Sequence, residues 1–140
     1  MFNSKLARLV PTGAGNENGW SLNTFSNIDD SDFDTNFEDG NYVNTTGAAN
    51  THSMQDLSPY TDRKFAAVVA YVHASIATGA TPTGMNFRIR QGSSNYTRGA
   101  LSITPGEPPK GYREIYTLDM LGSPWTESNI NSLHIGVITT

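Results

Sequence analysis

A run of acidic side chains is the first feature of this sequence that could do chemistry. The stretch NIDDSDFDTNFEDGNYV covers residues 27–43, and it holds six carboxylates between residues 29 and 39 with no positive charge among them. Closely spaced carboxylates can bind a cation, dock a basic partner or form a solvated loop. The four that stand closest together are Asp29, Asp30, Asp32 and Asp34.

The alternate spacing within DDSDFD is typical of the first half of an EF-hand calcium loop. Position six of that loop should be glycine and is Thr35, and position twelve should be a bidentate glutamate and is Asn41. The stretch therefore fails as an EF-hand. Three interpretations stay open: an exposed acidic loop, a docking surface for a basic neighbour, and a looser calcium site built from loop carboxylates.

No catalytic constellation is visible elsewhere in the sequence. The three histidines, His52, His73 and His134, stand alone with no HxH or HExxH spacing, and there is no GxSxG nucleophile motif. His73 and His134 fall in predicted strands, where a packed or surface histidine is the usual outcome. We therefore expect no enzymatic activity and no cofactor, and we assign no catalytic or metal-binding residue.

Basic side chains form the second candidate surface. Arg88, Arg90 and Arg98 are expected on one side of adjacent strands, either as solvated positions or as a face that meets the acidic stretch across a subunit boundary. The formal net charge is −4, and outside residues 29–39 seven acidic residues stand against nine basic ones. That balance is not typical of a nucleic-acid-binding protein.

The composition limits which kinds of secondary structure can position these side chains. The 140 residues suit one domain, there is no cysteine, and no apolar run approaches the length of a membrane span. Threonine, serine, asparagine and glycine together make up 55 of the 140 residues, which favours short strands and turns over long helices. We expect no nucleic-acid partner and no membrane partner.

Strand patterns dominate the second half of the chain. In MNFRIRQ, residues 85–91 alternate apolar and polar side chains, and YTRGALSIT, YREIYTLD and LHIGVIT continue the pattern after turn signals. The longest apolar segment, residues 64–77, is predicted to be a long strand with both faces covered, as in the middle of a sandwich. These patterns predict an all-β, jelly-roll-like antiparallel β-sandwich with one short helix near the C-terminus.

That helix is predicted in SPWTESNINSL, where Thr126 or Ser123 can provide the N-cap. A single helical turn is not stable alone, so apolar side chains must hold it against the sandwich. Trp125, Ile130 and Leu133 are available for this role. We predict that Trp125 is largely buried and closes one end of the core.

The N-terminal part has few large apolar residues. We interpret residues 1–27 as an extended arm, with the sandwich domain covering residues 28–140. Phe2, Leu6, Leu9 and Val10 are too few to form a core, and we expect the arm to order only against a neighbour. The candidate interface residues are therefore Asp29, Asp30, Asp32, Asp34, Arg88, Arg90, Phe2, Leu6 and Leu9.

The order of three segments, NIDDSDFDTNFEDGNYV, HSMQDLSPYTDRKFAAVVAYVHASI and SPWTESNINSLHIGVI, resembles small virion structural proteins of tailed bacteriophages. The resemblance spans about residues 20–138. This chain lacks the usual spacer between Pro124 and Trp125. The matching positions are Asn27, Asp29, Asp30, Tyr42, Val43, Asp56, Leu57, Val68, Val69, Tyr71, Ala74, Pro124, Trp125, Thr126, Ile130, Asn131, Leu133, Gly136 and Val137.

This resemblance implies a non-enzymatic structural component located in a virion, with no catalytic residues to carry over. The small size and the polar sandwich suit a capsid decoration, or cement, protein that binds the major capsid protein or other virion proteins. It is expected to be a homo-oligomer, with a trimer favoured. The alternative is a tail or tail-tip carbohydrate-binding sandwich, in which rings such as Trp20, Tyr60 or Tyr96 line a groove.

Overall fold

The computed structural model describes residues 7, 9, 11–19, 46–57 and 64–140. Within this part of the chain lie seven strands and one helix: β1 (Pro11–Asn18), β2 (Ala49–Met54), β3 (Val68–Ala74), β4 (Met85–Gln91), β5 (Ser94–Leu101), β6 (Lys110–Tyr116), α1 (Glu127–Asn131) and β7 (Leu133–Thr139). The sequence also predicts a short strand at Tyr42 and Val43, after a turn at Asp39 and Gly40, and these residues lie outside the described part of the chain. None of the described helices is long and apolar enough to cross a bilayer.

The strands form two antiparallel sheets. Five of them make one sheet in the order β1-β2-β7-β4-β5, and β3 pairs with β6 in a two-stranded ribbon. Buried apolar side chains from both sheets pack in one core, which includes Phe87 and Ile89 of β4, Val137 of β7, and Ala70 and Tyr116 of the ribbon. The prediction of an all-β sandwich with one short helix is confirmed at this level.

Strand β4 shows most simply how sequence pattern becomes structure. Its side chains alternate between buried and half-buried along the whole strand, with Met85, Phe87 and Ile89 turned to the core. Arg88 and Arg90 lie on the opposite face. Strand β4 pairs with β5 along one edge and β7 along the other, so its backbone is hydrogen-bonded on both edges, and its inward face packs in the core.

Strand β3 differs from its prediction in length and in surroundings. It covers seven residues, Val68–Ala74, within the predicted span of 64–77, and it pairs with β6. Ala70 is fully buried, whereas Val69 and Tyr71 on the other face are 49% and 45% exposed. The expectation that both faces are covered is therefore wrong for this chain, because the ribbon packs on the core through one face.

Strand β1 lies inside the segment that was expected to be an arm. Residues 11–18 pair with β2 of the same chain, with register shifts along the strand. An added Cβ at Gly15 would overlap the backbone oxygen of Thr51, so glycine permits this close approach. The expectation that the arm orders only against a neighbour is therefore wrong for these residues, because backbone pairing replaces the missing apolar contacts.

The C-terminal helix is confirmed. Thr126 is the N-cap, and its side chain accepts a hydrogen bond from the Asn129 N–H at 3.2 Å. Trp125 is 4% exposed, and its indole Nε1 donates to the Tyr116 carbonyl oxygen at 2.7 Å. Ile130 and Leu133 are also buried. The prediction that Trp125 is largely buried is confirmed, and its side chain belongs to the core cluster.

Candidate interaction surfaces

Most of the predicted interface residues from the N-terminal part lie outside the described residues. This holds for Phe2, Leu6, Asp29, Asp30, Asp32 and Asp34. Leu9 is described, and it is partly buried against the core of its own chain. The interpretations of the acidic stretch therefore stay predictions.

Arg88 is already paired within the chain. Its Nε and Nη2 donate to the two carboxylate oxygens of Glu17 at 2.7 Å each, and its Nη1 donates to Thr97 Oγ1 at 2.8 Å. The hydrogen bond to Glu17 raises the pKa of Arg88. This two-point pair connects β1 to β4 across the outer face of the five-stranded sheet. Arg88 therefore has its charge partner inside the molecule, in a segment that the sequence assigned to the arm.

Arg90 and Arg98 lie in different surroundings. Arg90 Nη1 donates to Asn95 Oδ1 at 3.2 Å, and with the Asn16 amide turned so that its oxygen faces Arg90, Nε and Nη2 donate to it at 2.9 Å. The Arg98 guanidinium lies 5.5 Å from the ring centre of Tyr96. Tyr96 pairs with Ile89, which faces the core, whereas Thr97 pairs with Arg88 on the outer face. Arg98 lies on the same side of β5 as Tyr96, opposite to Thr97. The expectation that the three arginines share one side is wrong for Arg98.

The exposed side of the ribbon is the most apolar surface among the described strands. We define the ribbon face as Val69, Tyr71, Arg113 and Ile115. Val69 pairs with Ile115 and Tyr71 pairs with Arg113 across the two strands. Val69, Tyr71 and Ile115 are 49%, 45% and 59% exposed. Contiguous apolar patches of this kind mark protein interaction sites more often than scattered surface residues do.

Tyr71 is held flat over its own ribbon. A Cβ added at Gly111 would overlap the hydroxyl and the ring of Tyr71. The Tyr71 ring therefore covers Gly111 on the neighbouring strand. Arg113 is exposed beside it. The ribbon face therefore combines an aromatic ring and a guanidinium, two groups enriched at protein interfaces, with two aliphatic side chains.

A cleft opens where β5 and β6 face each other without pairing. It has a volume of about 330 Å³ and is lined by Phe87, Gly99, Ala100, Leu101, Ser102, Tyr112, Arg113 and Glu114. The Glu114 carboxylate reaches across to Gly99, where a side chain on β5 would collide with it. Tyr116 donates its hydroxyl to Glu114 Oε2 at 3.0 Å. Burial, followed by this hydrogen bond, raises the pKa of the Tyr116 hydroxyl.

The histidines do not form a site together. His52 is 3% exposed on β2, and its Nε2 lies 3.1 Å from Asn50 Nδ2. Burial lowers the pKa of all three histidine rings, and the charge of Arg90 adds to this effect at His134. Within residues 46–57, 64–140 and the described part of the N-terminus, no group of three or more histidine and carboxylate side chains could hold a metal ion.

Asp119 is a buried carboxylate with a structural environment. Its Oδ1 accepts from the N–H groups of Leu121 and Ser123 at 3.0 and 2.8 Å, and its Oδ2 accepts from Gln91 Nε2 and Asn129 Nδ2 at 3.0 and 2.7 Å. The hydrogen bond from Ser123, with those from Gln91, Leu121 and Asn129, lowers the pKa of this carboxyl. Each carboxylate oxygen accepts two hydrogen bonds from the protein, so Asp119 connects β4, the loop after β6 and α1.

Comparison with known proteins adds no relative: no family model matches this sequence, and neither a curated protein nor a solved structure matches it.

Proposed function

We propose that this protein is a non-enzymatic structural component of a tailed-bacteriophage virion, in the simplest case a capsid decoration protein that stabilises the head. The observation that carries the proposal is the ribbon face. A two-stranded ribbon that exposes Val69, Tyr71 and Ile115 leaves apolar surface in water, and an assembly can remove that surface from water. The proposed architecture includes a jelly-roll-like arrangement of the two sheets.

Contacts between segments that carry the phage resemblance support the proposal. The Leu57 N–H donates to Asn131 Oδ1 at 2.8 Å, which connects the middle segment to the C-terminal one. An added Cβ at Gly136 would overlap the backbone oxygen of Asn50, which gives glycine at that matching position a physical reason. Both contacts are within one chain. They give these matching positions a structural reason in this chain, and the role in the particle is the proposal.

The test is to add the purified protein to undecorated phage heads of the kind that its gene accompanies. We expect saturable binding and greater resistance of the heads to heat and osmotic shock, because a bound protein adds buried area between shell subunits. Heads incubated in buffer alone are the control. Absence of binding, or binding without any gain in resistance, would contradict a decoration role.

A second candidate function is carbohydrate binding at the tail. The cleft between β5 and β6 favours it, because its lining combines the aromatic residue Tyr112 with the carboxylate of Glu114. Tyr96 is half-buried and lies under Arg98, and Trp20 and Tyr60 are outside the described residues. A glycan array tests this candidate directly. Hits that disappear in a Tyr112→Ala variant support it, and an array without hits removes it.

A further inference from the structure

Strand β1 is attached to the rest of the molecule mainly by polar contacts. Its backbone pairs with β2, the Glu17 N–H donates to Thr51 Oγ1 at 3.3 Å, and the Glu17 carboxylate binds Arg88. None of the described residues of β1 belongs to the buried core cluster, and Leu9, just before the strand, packs against that cluster only partly buried. The strand can therefore leave its place while the core stays closed.

The place that β1 occupies is built entirely from other strands. Thr51 on β2 is 0% exposed with β1 in place. Arg88 on β4 holds Glu17, and Arg90 on the same strand holds Asn16. These partners are distant from β1 in the sequence, so a β1 strand from a second chain would find the same hydrogen bonds and the same charge.

The connection between β1 and β2 is longer than their pairing requires. Neighbouring antiparallel strands are commonly joined by about two to five residues. Here residues 19–48, which number 30, separate Asn18 from Ala49. At roughly 3.3 Å per residue, a chain of this length can reach at most about 100 Å. The pairing is therefore not closed by a tight hairpin, and the link is long enough to reach the same site on a neighbouring copy.

We propose that β1 exchanges between copies of this chain. The β1 strand of one copy pairs with β2 of a second copy, its Glu17 carboxylate binds the partner's Arg88, and the partner's β1 strand returns in the same way. The inference goes beyond the proposed function and does not depend on it. Exchange of an identical element is a low-cost route to an oligomer, because contacts within each chain are remade between chains.

The shape of the site favours β1 of a second copy over an unrelated extended segment. The register shifts between Ala14 and Asn18, so β1 carries an irregularity where it crosses Thr51. Gly15 permits the close approach there, and Glu17 then supplies the carboxylate to β4. An occupant needs a glycine and a carboxylate two residues apart on such an irregular strand, which β1 itself provides.

The first test uses the absence of cysteine from the sequence. An ideal Cβ at Gly13 lies 2.9 Å from Ser53 Oγ, so cysteines at the two positions are close enough for a disulfide. Gly13→Cys and Ser53→Cys chains are prepared separately, mixed in reduced form at high concentration and oxidised slowly. Neither chain can form the bond between positions 13 and 53 on its own. We expect covalent dimers of unlike chains well above their statistical share.

A matched control uses a distant partner for the same thiol. Ser94 is exposed on β5, at the opposite end of the five-stranded sheet from β1. Ser94→Cys chains mixed with Ser53→Cys chains should give unlike dimers only at the statistical share. An equal excess in both mixtures would show collision of surface thiols and would overturn the exchange.

The second test reverses the charges of the ion pair in separate chains. Glu17→Arg alone and Arg88→Glu alone each bring like charges together within one chain, whereas the mixture offers each β1 strand an opposite charge on the other chain. We expect the mixture to associate at least about tenfold more tightly than either variant alone, measured by analytical ultracentrifugation. The chain with both substitutions restores the pair and should behave as the parent does.

The outcomes separate this inference from the proposed function. Cysteine chains that give unlike dimers only at the statistical share, or charge-reversed chains that stay monomeric when mixed, overturn the exchange. If such chains still bind and protect phage heads, the virion role stands without it. Chains that exchange β1 and never bind heads support the exchange and contradict the decoration role.

Discussion

Trp125 shows how one residue determines the end of the core. Its ring is buried and its Nε1 donates to the Tyr116 carbonyl, so it connects the turn before α1 to the last residue of β6. We predict that Trp125→Ala lowers the free energy of unfolding by roughly 3–5 kcal/mol, because the truncation leaves a cavity and an unpaired carbonyl. Urea denaturation measures this change. Trp125→Phe keeps most of the apolar volume and should cost clearly less; an equal loss in both variants would contradict the cavity explanation.

Asp119 is the residue on which the loop after β6 depends. Four hydrogen bonds converge on its carboxylate, and an asparagine can accept at only one of the two positions. We predict that Asp119→Asn costs on the order of 2 kcal/mol in unfolding free energy at neutral pH. Asp56→Asn, at an exposed position, is the control and should leave the free energy nearly unchanged. Equal effects at the two positions would show that the converging hydrogen bonds are not the cause.

The buried histidine gives a pH prediction. Burial lowers the pKa of His52 below its usual value of 6.5, so between the two values the unfolded chain binds protons more readily than the folded one. Stability is therefore full above pH 6.5 and falls as the pH is lowered toward the folded pKa. His52→Gln should flatten this part of the curve in thermal melts from pH 7.5 to 5. If the stability of the variant falls with decreasing pH as steeply as that of the parent, protonation of His73 and His134 is the cause instead.

At the scale of elements, β1 is held by backbone pairing with β2 and by polar contacts of its side chains with β4. Glu17 and Arg88 are connected by two short hydrogen bonds, and their side chains are 20% and 17% exposed. We predict that Glu17→Gln weakens the attachment of β1 by about 1–3 kcal/mol, as for a hydrogen bond to a charged group. Hydrogen exchange at the amides of β1 should speed up, while exchange in β4 stays near that of the parent.

A surface ion pair provides the control for that prediction. Lys110 and Glu107 pair on the surface with both side chains about half exposed, so Glu107→Gln should change the free energy of unfolding by less than about 1 kcal/mol. If the two substitutions have equal effects, the contact between Glu17 and Arg88 does not hold β1.

Elements with strong local signals could be predicted from the sequence. The alternation in β4, the Thr126 cap and the apolar anchors of α1 depend on neighbours in the chain, and local pattern is sufficient for them. Strand β1 could not be predicted, because PTGAGNEN has no apolar alternation and the strand depends on backbone pairing with β2. The pair between Glu17 and Arg88 was missed for the same reason.

At the scale of the whole molecule, the uneven division of strands explains the candidate site. Five strands form one sheet and two form the other, so the smaller sheet covers the core and leaves its own outer face in water. The apolar residues on both sides of β3 are visible in the sequence, and they were interpreted as a strand covered on both faces. The sequence does not show which sheet a strand joins, because that depends on contacts between distant residues.

We propose that this protein is a structural part of a phage head. The most direct measurement is a reconstruction of intact particles that contain the chain, at a resolution that separates individual strands. We predict that the two-sheet sandwich lies on the outside of the head shell, with Val69, Tyr71 and Ile115 covered by a neighbouring protein. Density for the sandwich at the tail alone, or on the head with the ribbon face toward solvent, would contradict it.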